Sequence, residues 1–282
     1  MRLKQQSSPN RRETYLWRIV ATGICFVVFG LGGLLIGLVV FPLLLLLVRD
    51  PAARRRRARM GVHLAFSAFS RMMQALGGIT YEFRGRERLG RPGQLIVANH
   101  PTLIDVVLII AHTPACCVVK AAMFRNPFTR QVVSAAGYVS NSPTDAMIEG
   151  AAAALRAGDA VVMFPEGTRT RPGLPREFHR GAASVACQVA TLLTPVYIEV
   201  QPGLLAKNEP WYRVPARKPH FVLRVGPDVD LDAFRRLPPP KASRALNDWL
   251  REHYAEVLGD TDRYNERIMA DALPAPRTTA GG

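Results

Sequence analysis

A histidine that closes an apolar run, a proline after it and a carboxylate five positions on make "ANHPTLIDVV" (98–107) the first stretch of this chain where chemistry could sit. An imidazole has a reference pKa of about 6.5, so His100 can take a proton from a hydroxyl near neutral pH. Asp105 can fix its tautomer and steady the imidazolium that results. The same residues admit a purely structural reading. Thr102 and Asp105 fit the Ser/Thr-x-x-acid pattern with which a helix start satisfies its own amides, so Asp105 could be a cap and nothing more. The second stretch is "VVMFPEGTRTRPG" (161–173). Pro165 and Gly167 suit positions i+1 and i+3 of a type I turn. A turn that presents Glu166, Thr168 and Arg169 together is nevertheless over-equipped for chain reversal.

Both stretches need elements to hold them. Apolar runs rich in Val and Ile at 79–85, 94–98, 116–121, 160–164, 194–200 and 220–226 read as strands. They alternate with helical patterns from about Thr102, near 127–137, over 145–158 and from Gly181, and a last amphipathic helix ends near 258. This predicts an α/β domain over 61–258, with a mixed, mostly parallel sheet flanked by helices. Open α/β sheets gather ligands outside the carboxyl ends of their strands, and His100 and Glu166 each fall just past such an end. If those two strands are parallel, the two residues share one rim.

The net charge of +15 invites a nucleic-acid reading until it is mapped. Residues 1–60 hold eleven Lys/Arg against Glu13 and Asp50, so +9 of the total lies there and the remaining 222 residues carry +6. No nucleic-acid partner is expected. The local excess brackets thirty uncharged residues, 19–48, far longer than the apolar core of a signal peptide. They read as a membrane anchor between a basic N-terminal segment (1–18) and a basic linker (49–60). As one helix the stretch would run about 45 Å against a hydrocarbon core of about 30 Å, so it must tilt, bend or break. "GLGG" (30–33) and Pro42 are the weak points, leaving a single tilted span and a re-entrant helical hairpin both open. The arginine run after it suits anionic headgroups or a simple stop-transfer flank. "MGVHLAFSAFSRMMQAL" (60–76) reads as a helix that packs the anchor on the domain or lies along the membrane surface. From 259 to 282 the chain turns polar and then Pro/Thr/Gly-rich, which predicts a disordered tail.

Cys25, Cys116, Cys117 and Cys187 lack paired spacing and read as reduced and structural. His112 with Cys116 and Cys117 does not suggest a metal site, because adjacent strand residues point to opposite faces. No metal or cofactor is expected. The loop "NEPWYRVPARKP" (208–219) carries an aromatic pair at home in a membrane interface.

"NHPTLID" (99–105) followed by "FPEGTR" (164–169) resembles the glycerolipid acyltransferase family, in particular its lysophosphatidic acid acyltransferase branch. The resemblance runs over roughly 75–230 and takes in a middle segment at 120–141 and a late proline, Pro195, before an apolar strand. It implies a membrane-bound O-acyltransferase of phospholipid biosynthesis that moves a fatty acyl group from acyl-CoA or acyl carrier protein to a lysophospholipid. His100 would be the base and Asp105 its partner. The resemblance carries acceptor binding to Glu166, Gly167, Thr168 and Arg169; Arg169 has the chemistry to pair with phosphate, while Glu166 would orient a hydroxyl or a neighbouring Arg. The donors imply a site on the cytoplasmic face of the inner membrane. In one place the chain departs from the pattern. Where the branch carries an Arg beyond the middle-segment Gly, here Gly137, this chain has Ser140, Asn141 and Ser142, leaving Lys120, Arg125 and Arg130 as substitutes. A non-phosphate acceptor, or a hydrolase or thioesterase using the same His–Asp pair, stays open beside the leading reading.

Overall fold

The structure, a computed structural model, describes residues 11–170 and 176–272, with side chains described over 15–170 and 176–259. Seven strands form one sheet: β1 (Thr80–Arg84), β2 (Gln94–Ala98), β3 (Cys116–Val119), β4 (Val139–Ser140), β5 (Val161–Met163), β6 (Leu192–Gln201) and β7 (His220–Val225). Their order is β1-β7-β6-β2-β5-β3-β4. The β6/β7 pair is antiparallel and every other pair is parallel. The mixed, mostly parallel sheet expected from the alternating runs is therefore present. The central strand β2 is buried along its whole length, as an unbroken apolar run covered on both faces requires. Only the two-residue β4 escapes the sequence pattern, being too short to show a period.

Helices α4 (Asp105–Ile110), α5 (Arg130–Ala135), α6 (Thr144–Arg156), α7 (Gly181–Val189), α8 (Asp232–Arg235) and α9 (Pro239–Ala272) complete the domain. The closing helix, expected to end at 258, continues to Ala272. Gly259 alone does not break it and no proline follows before Pro274. The rest of the expected tail, 273–282, lies outside the described residues, as do residues 1–10 of the basic N-terminal segment. From α9 the buried Tyr254 hydroxyl donates to the Val97 carbonyl at 2.7 Å, beside Pro195, which brings no N–H to the ladder.

The apolar stretch is helical from α1 (Arg11–Leu35) through one widened π turn (Ile36–Val40) into α2 (Phe41–Leu47). The widened turn sits just before Pro42 and closes with Phe41 N–H donating to Ile36 O; Pro42 has no N–H to continue a regular ladder. "GLGG" does not break the helix. Its last glycine is a docking point: a Cβ on Gly33 would fall 2.8 Å from the Phe128 carbonyl oxygen, and one turn further on a Cβ on Gly37 would fall 2.8 Å from Gln131 Cβ. Ten residues before Gly33, the Trp211 ring covers Gly23.

The chain reverses at 48–50, where Asp50 accepts hydrogen bonds from the amides of Ala52 and Ala53 and Pro51 opens α3 (Pro51–Ala75). The expected basic linker is thus the first half of a helix, continuous with the helix expected from 60. It returns alongside α1: Phe29 packs on Phe66 and Phe69, and the Trp17 indole donates to the Leu76 carbonyl. Arg59, from the arginine run, is buried against Asp159 at 2.6 Å and donates to the Ala136 carbonyl. His63 and Ser67 reach the carbonyls of Ile110 and Ala111, satisfying the end of α4.

Candidate active site

Because β2, β5, β3 and β6 run the same way, the loops leaving their carboxyl ends meet on one rim. His100 leaves β2 after Asn99, whose amide bridges β2 to β6 by accepting from Ile198 N and donating to Ile198 O. Across 2.8 Å, His100 Nδ1 meets Asp105 Oδ2. Asp105 is fully buried, and Oδ2 also accepts the Thr102 amide at 2.7 Å while Oδ1 accepts the Thr102 hydroxyl at 2.6 Å. Both readings of Asp105 therefore hold at once: it closes the turn before α4 and it holds the imidazole. An ionised carboxylate can only accept, so Nδ1 carries the hydrogen and Nε2 is left with a lone pair. The side chain of His100 is 16% exposed, enough for Nε2 to meet a substrate.

The Phe164–Thr170 loop grips His100 through its backbone. Glu166 Oε1 accepts the His100 amide at 2.9 Å, and the Thr170 amide donates to the His100 carbonyl at 2.7 Å. The Phe164 ring lies against the imidazole, centroids 4.5 Å apart. The expected turn is present, with Gly167 N–H donating to Phe164 O and Gly167 in the left-handed region at φ +61°. Burial pushes the Glu166 carboxyl above its ordinary value, while the His100 amide and the Arg176 charge pull the other way.

The expected site residues are thus divided. His100, Asp105 and Glu166 are joined directly. Gly167 and Thr168 lie on the same turn, Gly167 exposed and Thr168 half-buried. Arg169 spends its Nη1 on the carbonyls of Leu205 and Ala206, at 2.8 and 2.9 Å, tying the turn to the long β6–β7 loop. Lys120, exposed at the end of β3, shares the rim but stands two strands from His100, about 10 Å by strand spacing. Arg125 and Arg130 are exposed beyond it. Asn141 accepts the Ala121 amide and so shapes the turn after Lys120, while Ser140 bonds within its own bend at Ser142. Sequence reasoning passed over Asn99, Thr170 and Tyr254; only Asn99 carried a signal, as a buried-strand amide directly before the histidine.

Among the described residues no group of three or more His, Cys, Asp and Glu gathers as a metal site. Burial pushes the Cys116 thiol up to about 11 and raises Cys117 as well, so neither offers a thiolate near neutral pH.

A buried carboxylate holding a rim histidine on an α/β domain has the chemistry to move a proton, and comparison with known proteins shows what the chain is similar to. A family model described as Acyltransferase matches residues 80–199. Two relatives are each named 1-acyl-sn-glycerol-3-phosphate acyltransferase. The one from Borreliella burgdorferi is 31% identical over 144 residues, 47% of this chain and 56% of that protein. The one from Cocos nucifera is 23% identical over 198 residues, 67% of this chain and 61% of that protein. The matched region therefore spans less than two thirds of either relative. In fold, the chain is similar to the crystal structure of the 1-acyl-sn-glycerophosphate (LPA) acyltransferase PlsC from Thermotoga maritima. The TM-score is 0.61 at 21% identity, covering 94% of this chain and all of that one.

Proposed function

We propose that this protein is a membrane-bound O-acyltransferase that acylates the free hydroxyl of a 1-acylglycerol-3-phosphate-like lysophospholipid, in phospholipid biosynthesis, with acyl-CoA or acyl carrier protein as donor. The observation that carries the reading is the His100–Asp105 pair at 2.8 Å, on a histidine whose side chain is 16% exposed and whose backbone is held on both sides by the Glu166–Thr170 turn. The names of the relatives support the acceptor class.

In this mechanism His100 Nε2 takes the proton from the acceptor hydroxyl as its oxygen attacks the thioester carbonyl. The tetrahedral intermediate collapses, the carbon–sulfur bond breaks, and the leaving thiolate takes the proton back from the imidazolium. Asp105 keeps the productive tautomer and steadies the transient positive charge. Glu166 acts through His100, by fixing its amide. With Arg169 partly committed to Leu205 and Ala206, and Ser140, Asn141 and Ser142 where the Arg after Gly137 is expected, Lys120, Arg125 and Arg130, all exposed at or beyond the end of β3, are the cations of that segment that can meet a phosphate. The Arg missing after Gly137 favours a second reading, in which the acceptor lacks the phosphate.

The anchor fits insertion into one leaflet better than a span. The domain packs against α1 from Trp17 to Gly37, about 30 Å of helix, and a helix flanked by a polar domain along that length cannot cross the hydrocarbon core. Its opposite side, including Val20, Ile24, Val27, Leu31, Leu35 and Leu38, is exposed and apolar. A site on the cytoplasmic face of the inner membrane belongs to the same proposal, because that is where the proposed thioester donors would be met.

A panel of lyso-lipids with and without phosphate, offered to the purified protein with each donor type and resolved by product mass, tests the reading. Acylated product from a phosphate-bearing acceptor supports it. Free fatty acid, released whether or not acceptor is added, would replace it with a hydrolase.

A further inference from the structure

The long β6–β7 connection, 202–219, leaves the active-site rim and ends against the N-terminal half of α1. Trp211 covers Gly23 and packs on Phe26 with ring centroids 5.9 Å apart. The buried Arg18 donates to the Ala216 carbonyl at 2.7 Å. A loop fastened this firmly to an apolar helix would ordinarily bury its aromatic side chains. Here Trp211 remains 45% and Tyr212 58% exposed, and Tyr15 and Trp17 near the start of the same helix are exposed too. Around them Arg213, Arg217 and Lys218 are exposed as well. Exposed amphipathic rings with exposed cations on the same short segment are what a headgroup layer accommodates, the rings at the boundary and the cations among anionic phosphates.

We propose that residues 211–218 form a second membrane contact, separate from the apolar anchor, that seats the catalytic rim on a bilayer containing anionic lipid. The proposal rests on the reading of α1 and α2 as a membrane anchor. Continuity with that apolar ridge identifies the occupant: whatever surface receives Phe26 also receives the ring packed on it. The far end of the ridge has its own contact, with Leu46 and Leu47 exposed by more than three quarters and followed by the exposed Arg55, Arg56 and Arg57. Two separated contacts fix orientation, which one alone would leave free to pivot. Since Leu205 and Ala206 of the same loop hold Arg169, the lipid-facing segment and the site turn belong to one connection.

Co-sedimentation of the full chain with phosphatidylcholine vesicles, and with vesicles made partly of phosphatidylglycerol, tests this. Arg217→Ala with Lys218→Ala should weaken binding to the anionic vesicles by about fivefold per charge removed, leave neutral vesicles unaffected, and lose the difference in high salt. Tyr212→Ser, whose ring touches only Trp211 among the described contacts, should weaken binding to both. Trp211→Phe, which keeps the packing on Gly23, should remove part of the fluorescence quenching that brominated lipids cause in the wild type. Variants that bind and quench like the wild type overturn the second contact while leaving the anchor intact. A wild type that ignores both vesicle types overturns the anchor reading itself.

Discussion

Replacing Asp105 by Asn separates its two duties. An amide oxygen at the position of Oδ2 still accepts from the Thr102 amide and from His100 Nδ1, and the amide nitrogen faces the Thr102 hydroxyl, which can turn to accept it. The turn before α4 and the tautomer of His100 therefore survive, while the negative charge beside the imidazolium is lost. For charge centres about 4 Å apart, an effective dielectric constant of about 20 gives about 4 kcal/mol. Partial exposure of His100 lowers this to about 2–4 kcal/mol, or about 30- to 1,000-fold in turnover. Asp105→Ala loses the charge and also leaves the buried Thr102 amide and hydroxyl without their acceptor, costing about 1–3 kcal/mol more in folding stability. Turnover at saturating lysophosphatidic acid, measured beside the denaturant midpoint, distinguishes them. Asp105→Asn should be slow and nearly as stable as wild type, and Asp105→Ala slow and unstable. An Asp105→Asn enzyme within a few-fold of wild-type turnover would refute the reasoning, because the cap alone would then account for Asp105.

Two further outcomes follow from burial and packing. Burial raises the Glu166 carboxyl in the folded protein, so its contribution to stability is complete below the unfolded value, 4.5, and is lost as pH rises through the folded one. Wild type should accordingly lose stability relative to Glu166→Gln as pH rises above 4.5, and a gap independent of pH contradicts this. Gly32 has nothing within 4 Å of an added Cβ, whereas Gly33 has the Phe128 carbonyl at 2.8 Å. Gly32→Ala should gain up to about 1 kcal/mol in detergent from helix propensity, and Gly33→Ala should fall below it by about 1–3 kcal/mol through overpacking; equal stabilities would deny that α1 docks there.

Much of this arrangement is legible in the chain because single residues announce it. Val and Ile runs mark six strands, and the proline and glycine around Glu166 mark its turn. Contacts between distant segments are less visible. Nothing in "FPEGTR" reveals that Glu166 takes the amide of His100 or that Arg169 reaches Leu205, since both partners are backbone groups and carry no residue signature. "GLGG" looks like a flexible point because glycine costs a helix stability, yet the side chain missing at Gly33 is what allows Phe128 to approach, as the one missing at Gly37 does for Gln131. The start of α3 was readable: Asp50 followed by Pro51 is a cap and first-turn pair, masked by the arginine run that follows.

The central claim is that His100 moves the proton. Mass-resolved acylation of lysophosphatidic acid by His100→Ala, compared with wild type at equal amounts of folded protein, tests it most directly. Loss of product by about a hundredfold or more, with vesicle binding and denaturant midpoint unchanged, is the predicted result. Undiminished product formation would contradict it.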